Sequence, residues 1–259
     1  MSLRVISALV LAPPVLLAVW QGSPYFEGMA LLAAALMAWE WGRLVCNGAF
    51  TSSGIALTLT CLAALAMLPF SPIVALFFVI LGGLVSSLMA PAGARGWAAL
   101  GAPYIVLPLA ALVMLREADN GQSLVIWLLL IVWATDIGAY AAGRAIGGPL
   151  LAPAISPKKT WAGLLGGMLS AGLTAVLAGM AFGFTTQAVT LGGIGAVLAV
   201  VAQGGDLFES QAKRRFGVKD SSQLIPGHGG LLDRVDGLLA AGFALGLYHL
   251  VAIERGWTW

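Results

Sequence analysis

Residues 205–236 read GDLFESQAKRRFGVKDSSQLIPGHGGLLDRVD, a polar run set between two stretches of strongly apolar sequence. The run holds Asp206, Glu209, Lys213, Arg214, Arg215, Lys219, Asp220, Asp233, Arg234 and Asp236, with glycines on both sides of His228. The rest of the 259-residue chain is the opposite: hydrophobic residues make up 60% of it and charged residues 9%. Soluble domains run near about 45–50% and about 25%. A globule of this size must still present a polar exterior. A water-soluble fold is therefore excluded, and the bilayer is the remaining solvent. The fold class that follows is an all-α polytopic integral membrane protein.

A helix needs roughly 20 apolar residues to cross the hydrocarbon core. Outward from the polar run, spans are expected at about 188–208 and 235–253, and before them at about 4–20, 26–45, 51–69, 72–90, 98–115, 122–144 and 161–184. That is about nine transmembrane helices. With the N-terminus in the cytoplasm, Arg4, Arg43, Arg95, Arg144, Lys158, Lys159, Lys213, Arg214, Arg215, Lys219 and Arg234 all fall inside. Only Arg116 and Arg255 fall outside, the asymmetry that the positive-inside rule expects. The first span reads as retained, since Val19-Trp20-Gln21 lacks a small-residue cleavage pattern and Pro13-Pro14 interrupts the run. The terminal tryptophans suit an interfacial belt. Cys46 and Cys61 are the only cysteines and read as packing residues. A single membrane domain over 1–259 is expected, with a hydrophobic part of about 1–120 and a catalytic part of about 121–259.

The chemistry-bearing residues fall in two cytoplasmic loops and the helix ends beside them. Asp206, Glu209, Ser210 and Lys213 recur at steps of three and four and share a helical face. Asp233 and Asp236 are three apart at the start of the last span, where the helix dipole favours acids. With Asp206 they offer hard oxygen ligands that suit Mg²⁺. Between the acids, Pro226-Gly227-His228-Gly229-Gly230 permits tight turns whose backbone N–H groups converge on an anion. In the other loop, Ser156-Pro157 reads as an N-cap and first helical residue, which would put Lys158 and Lys159 at a helix N-terminus. Asp136, Tyr140 and Arg144 repeat every four residues on the sixth span. Gly163 and Gly167 form a small-xxx-small pair, and Gly192, Gly193 and Gly195 follow in the next span, read as close helix packing either within one chain or across a dimer. Glu40, beside Trp41, reads as an interfacial residue.

The pattern Ser210-x-x-Lys213-Arg214-x-x-x-x-Lys219-Asp220-x-x-x-x-x-Pro226-Gly227-His228-Gly229-Gly230-x-x-Asp233-Arg234-x-Asp236 resembles the signature of the CDP-diacylglycerol synthases, the phosphatidate cytidylyltransferases. Gly205-Asp206-Leu207-Phe208-Glu209, Ser156-Pro157-Lys158-Lys159-Thr160-Trp161 and Asp136-x-x-Ala139-Tyr140-x-x-Gly143-Arg144 look like the same family. The likeness covers the C-terminal half, and the first five spans share only its hydrophobic character. Ala162 departs from it, since many members carry an acid there.

The resemblance implies a nucleotidyltransferase that makes CDP-diacylglycerol from CTP and phosphatidic acid for phospholipid biosynthesis, releasing pyrophosphate. It implies Mg²⁺, a monovalent cation such as K⁺ in at least some members, and a homodimer. It places the metal on Asp206, Asp233 and Asp236. Asp206, Lys213, Arg214 and Asp236 are then the expected catalytic residues. Lys158, Lys159, Thr160, Ser210, Lys219, His228 and Arg234 are the expected substrate-binding residues, with His228 donating to phosphate. The enzyme would sit in the cell's inner membrane with its site on the cytoplasmic side, and nucleic acid is not among the expected partners. Two rival readings are an ion-coupled secondary transporter and a CTP-dependent lipid kinase. The transporter predicts symmetric halves with paired broken helices, whereas here the polar features crowd into one half.

Overall fold

The computed structural model describes residues 3–255, with side chains from Val10 onward. The terminal Trp257 and Trp259 and the side chain of Arg4 lie outside the described residues. The α-helices are α1 (Leu3–Gln21), α2 (Tyr25–Val45), α3 (Ser52–Met67), α4 (Pro72–Met89), α5 (Arg95–Glu117), α6 (Gly121–Ala145), α7 (Trp161–Ala181), α8 (Ala188–Arg215) and α9 (Leu232–Glu254). A 3-10 turn, Ala92–Ala94, leads into α5. Among the described residues, seven helices, α2 and α4 to α9, are long and apolar enough to span a bilayer. α3 has 16 residues. At about 1.5 Å per residue it falls short of a hydrocarbon core about 30 Å thick. The structure thus shows a helical protein with seven full-length candidate spans among the described residues; α3 is a short apolar helix beside them.

The chain is not wholly α-helical. β1 (Leu150–Ala152) and β2 (Ser156–Thr160) form an antiparallel hairpin between α6 and α7. This corrects the expected helix start at Ser156-Pro157. α7 begins four residues later, and Thr160 is its N-cap, with Oγ1 accepting the Gly163 N–H at 3.0 Å. A β-branched residue with extended backbone (φ −117°, ψ 157°) closes the strand and caps the helix at once. Lys158 and Lys159 are consequently strand residues on opposite faces.

The fold divides into two compact units. One comprises Met1–Val113 with Ala212–Val235; the other comprises Met114–Gln211 with Asp236–Trp259. In the first, Trp41, Met37 and Leu57 are fully enclosed, and the Trp41 indole N–H donates to the Trp97 carbonyl at 2.9 Å. α2 and α3 cross with backbones touching: a Cβ on Gly42 would stand 2.7 Å from the Gly54 Cα. The polar segment 212–235 therefore sits with the N-terminal helices.

In the second unit the small residues do the packing. Gly163, Gly167, Ala171, Ala175 and Gly179 form the buried stripe of α7. A Cβ on Gly163 or Gly167 would approach the Ala139 or Thr135 carbonyl of α6 to 3.0 or 3.1 Å. Gly195 of α8 meets Ala171 and Ala175 in the same way, so these contacts lie within the chain, whereas Gly193 has open space beside it. On the far side of α7, Leu165, Leu169, Leu173 and Leu177 are exposed. That is stable only where the outer solvent is lipid. Trp127, fully buried, donates its indole N–H to the Ala175 carbonyl at 2.8 Å.

Candidate active site

α8 carries 28 residues, long enough to continue beyond the hydrocarbon and present its polar end to water. It stops because Gly217 adopts φ 69°, a left-handed conformation that costs glycine nothing. Gly217 N then donates to the Arg214 carbonyl and Val218 N to the Lys213 carbonyl, the paired bonds of a Schellman cap. Arg214 itself is exposed and donates from Nη1 to the Val218 carbonyl at 3.0 Å.

Farther along, Ile225-Pro226-Gly227-His228 forms a tight turn closed by His228 N donating to the Ile225 carbonyl at 2.9 Å. Proline at the second position and Gly227 at φ 78° at the third are the requirements of a type II turn. His228 is half-buried at its end.

The next two glycines make room for two carboxylates. A Cβ on Gly229 would lie 2.8 Å from Asp233 Oδ2, and one on Gly230 would strike Glu40 Oε1 and Ser221 Oγ. Through that gap, Asp233 Oδ2 accepts from Gly230 N, Ser221 N and Ser221 Oγ, each at 2.8 Å. Its Oδ1 takes the Lys213 ammonium at 2.5 Å. Asp233 and Lys213 are each 8% exposed, so their charges are buried together. Glu40 reaches in from α2. Its carboxylate accepts Leu231 N and Leu232 N at 2.8 Å each and Ser222 Oγ at 2.6 Å.

Glu40 is 0% exposed, so it is not the interfacial residue the sequence reading made it. The converging backbone N–H groups of the glycine-rich loop do meet anions, and those anions are the protein's own acids. Ser221, Ser222 and Glu40 were absent from the sequence-derived site. For Glu40 there was a usable signal: an acid inside an apolar helix is a functional candidate by default. The serines carried none.

A second cluster belongs to the other unit. Lys159 Nζ reaches Asp206 Oδ2 at 2.7 Å and the Gln203 carbonyl at 3.5 Å. Ser210 Oγ donates to Asp206 Oδ1 at 3.2 Å, one helical turn along α8. Lys158, on the other face of β2, is exposed. The Thr160 hydroxyl is engaged in the cap of α7. Gly205 permits α8 and α9 to touch: a Cβ there would lie 2.6 Å from the Asp236 carbonyl oxygen and from Ala240 Cβ. Asp206, next to Gly205, and Asp236 therefore flank one helix crossing. Asp236 Oδ1 accepts its neighbour's Gly237 N–H at 2.7 Å.

Of the expected residues, Lys159, Asp206 and Ser210 come together beside Asp236, while Lys213 joins Asp233. Asp233 and Asp236 follow one another by a turn of α9. Lys219 and Arg234 are exposed. Among the described residues no three His, Cys, Asp or Glu side chains form a ready-made metal cage. Asp206 and Asp236 nevertheless carry hard oxygens of the type a divalent cation takes. Arg144 Nη1 donates to the Tyr140 hydroxyl at 3.0 Å on the exposed face of α6.

Comparison with known proteins bears on what such a site does. The cytidylyltransferase family model matches residues 2–252. A phosphatidate cytidylyltransferase of Brucella suis biovar 1 is 36% identical over 258 residues, covering 97% of this chain and 94% of the relative. Phosphatidate cytidylyltransferases of Rickettsia felis and Rickettsia bellii are 42% identical over 146 and 159 residues, covering 54% and 58% of this chain and 64% and 69% of those relatives.

Proposed function

The chain belongs to the cytidylyltransferase family, and on that premise we propose that it transfers CMP from CTP to phosphatidic acid. The products are CDP-diacylglycerol and pyrophosphate. The observation that carries this reading is the whole-length likeness to phosphatidate cytidylyltransferases. The apolar helices supply the environment the diacyl substrate requires.

In the reaction a phosphate oxygen of phosphatidate attacks the α-phosphorus of CTP in line. A new P–O–P bond forms, the bond to the β-phosphate breaks, and pyrophosphate departs with the electron pair. The attacking oxygen is already anionic, so no strong general base is needed; positioning and charge neutralisation supply the catalysis. Lys159, paired with Asp206, would hold the phosphatidate phosphate. Arg214, Lys219, His228 and Arg234 add donors for the two anionic substrates. Lys213 and Asp233 fix the loop that carries Lys219, with Glu40 as its second anchor.

Asp206 and Asp236 would hold a divalent cation, and Mg²⁺ suits their oxygen chemistry. Asp233 is the third acid that the family resemblance assigns to the metal. Such an ion, when bound, neutralises phosphate charge. We place the site at the cytoplasmic edge of the inner membrane with the N-terminus inside, which the one-sided distribution of basic residues supports. A homodimer is part of the proposal. Trp133, Ile137 and Tyr140 form an exposed apolar and aromatic face of α6 that a second copy would cover.

Purified protein incubated with CTP, phosphatidate and Mg²⁺ tests the reading. Pyrophosphate and CDP-diacylglycerol should appear in equal amounts. CDP in place of pyrophosphate would make the protein a lipid kinase and overturn the reading.

A further inference from the structure

A cavity of about 690 Å³ lies wholly within the first unit, between the C-terminal end of α2 and the loop that follows α8. Its volume falls in the range of small-molecule sites. Arg43, Asn47, Phe216, Lys219, Asp220 and Gln223 supply its distinctive chemistry. Only Lys219 belongs to the site read from the sequence; Arg43 counted there merely as a topology signal.

Arg43 is held for a purpose that its present bonds do not exhaust. Nε donates to the Gly48 carbonyl at 2.9 Å, and the guanidinium stacks over the Trp39 ring at 4.8 Å. Both contacts fix the group in place, and neither uses its two Nη nitrogens. A preoriented guanidinium presents paired donors that match phosphate oxygens. Lys219, from the loop after α8, contributes a second cation. Phe216 offers a ring whose orientation is set by an edge-on contact with Trp97 at 6.4 Å. Asn47 and Gln223 carry primary amides, each both donor and acceptor.

We propose that this cavity is the nucleotide subsite, taking the triphosphate of CTP on Arg43 and Lys219 and its nucleoside against Phe216. An aromatic face suits a base. Amides suit cytosine, whose edge carries a donor amine beside acceptors, and the Asp220 carboxylate suits ribose hydroxyls. A phosphatidate headgroup would use the cations and leave the ring, amides and carboxylate idle. Ser221, which also lines the cavity, donates to Asp233 and Glu40, so the wall of the subsite is continuous with the buried carboxylates. The inference rests on the proposed use of CTP and adds to it residues from the N-terminal helices.

The test compares wild type with Arg43→Gln and Asn47→Ala, each first checked for a monodisperse profile in detergent. Arg43→Gln keeps a donor for the Gly48 carbonyl while removing the charge. For each protein, KM is measured separately for CTP and for phosphatidate, and binding of radiolabelled CTP is measured without lipid. Arg43→Gln should raise the CTP KM and weaken CTP binding about tenfold or more, with the phosphatidate KM unchanged. Asn47→Ala should reduce the preference for CTP over UTP. A rise in the phosphatidate KM alone would assign the cavity to the lipid phosphate and overturn the proposal. Unchanged CTP KM and binding in Arg43→Gln, in an enzyme that still makes CDP-diacylglycerol, would also overturn it and leave the activity standing. Absence of turnover in wild type would instead sink the activity, and the binding measurement would still decide the subsite.

Discussion

Glu40 Oε2 accepts the backbone N–H of Leu232 at 2.8 Å, across 192 residues of sequence. The bond ties the second helix to the first residue of the last one. Together with the Leu231 bond it satisfies two N–H groups at the start of α9 that have no partner within the helix. Glu40 therefore works as a positioning residue for the loop that contains Lys219 and His228.

Glu40→Ala should leave buried N–H groups and hydroxyls without an acceptor, at about 1–3 kcal/mol for each group left unsatisfied. The melting temperature in detergent should fall and turnover should be largely lost. Glu40→Gln keeps one carbonyl acceptor and should recover part of both. Equal behaviour of the Ala and Gln variants would remove the hydrogen-bonding role.

Lys213 and Asp233 should show strong coupling. Breaking a buried pair from one side costs about 3–5 kcal/mol, because the remaining charge has lost its counterion. Lys213→Met and Asp233→Asn should each destabilise by about that amount. The double variant should be more stable than the sum of the single effects predicts. Strict additivity in thermal unfolding would contradict the pairing.

Lys158 and Lys159 should differ although they are adjacent. Lys159→Ala removes the partner of Asp206 and should cut turnover by about a hundredfold, on the scale of losing a charge-assisted bond in the transition state. Lys158→Ala, on the exposed face of the strand, should change the rate by no more than a few-fold. Similar losses from both would mean that the hairpin does not sort them.

Asp236→Asn should abolish turnover while the protein still inserts and elutes as wild type does. Chelation by EDTA should stop the wild-type enzyme, and added Mg²⁺ should restore it. Full activity of the variant would remove Asp236 from the chemistry. Undiminished activity in EDTA would remove the metal.

Much of this protein is readable from its residues, and the exceptions have physical causes. Helices α2 and α4 to α9 follow from apolar runs of spanning length, and the Gly163–Gly167 stripe correctly implied close helix packing. The continuation of α8 past Asp206 was visible in the three-and-four spacing up to Lys213. The hairpin before α7 was not. Ser156-Pro157 is a good local helix start, but the pairing of Leu150 with Thr160 depends on a partner strand that local propensity ignores. Glu40 is not legible as a loop anchor because its partners Ser222, Leu231 and Leu232 lie 182 to 192 residues away in sequence. The glycines around His228 read as tight turns whose N–H groups converge on an anion, and the structure adds that Gly229 and Gly230 leave space beside them. What local sequence could not reveal is that the space is filled by Asp233 and Glu40.

The most direct test of the central claim follows phosphorus through one turnover. With CTP labelled at the α-phosphate, radioactivity should move into the lipid product; with CTP labelled at the γ-phosphate, it should leave as pyrophosphate. Label from the γ-position in the lipid would show phosphoryl rather than cytidylyl transfer, and would contradict the account.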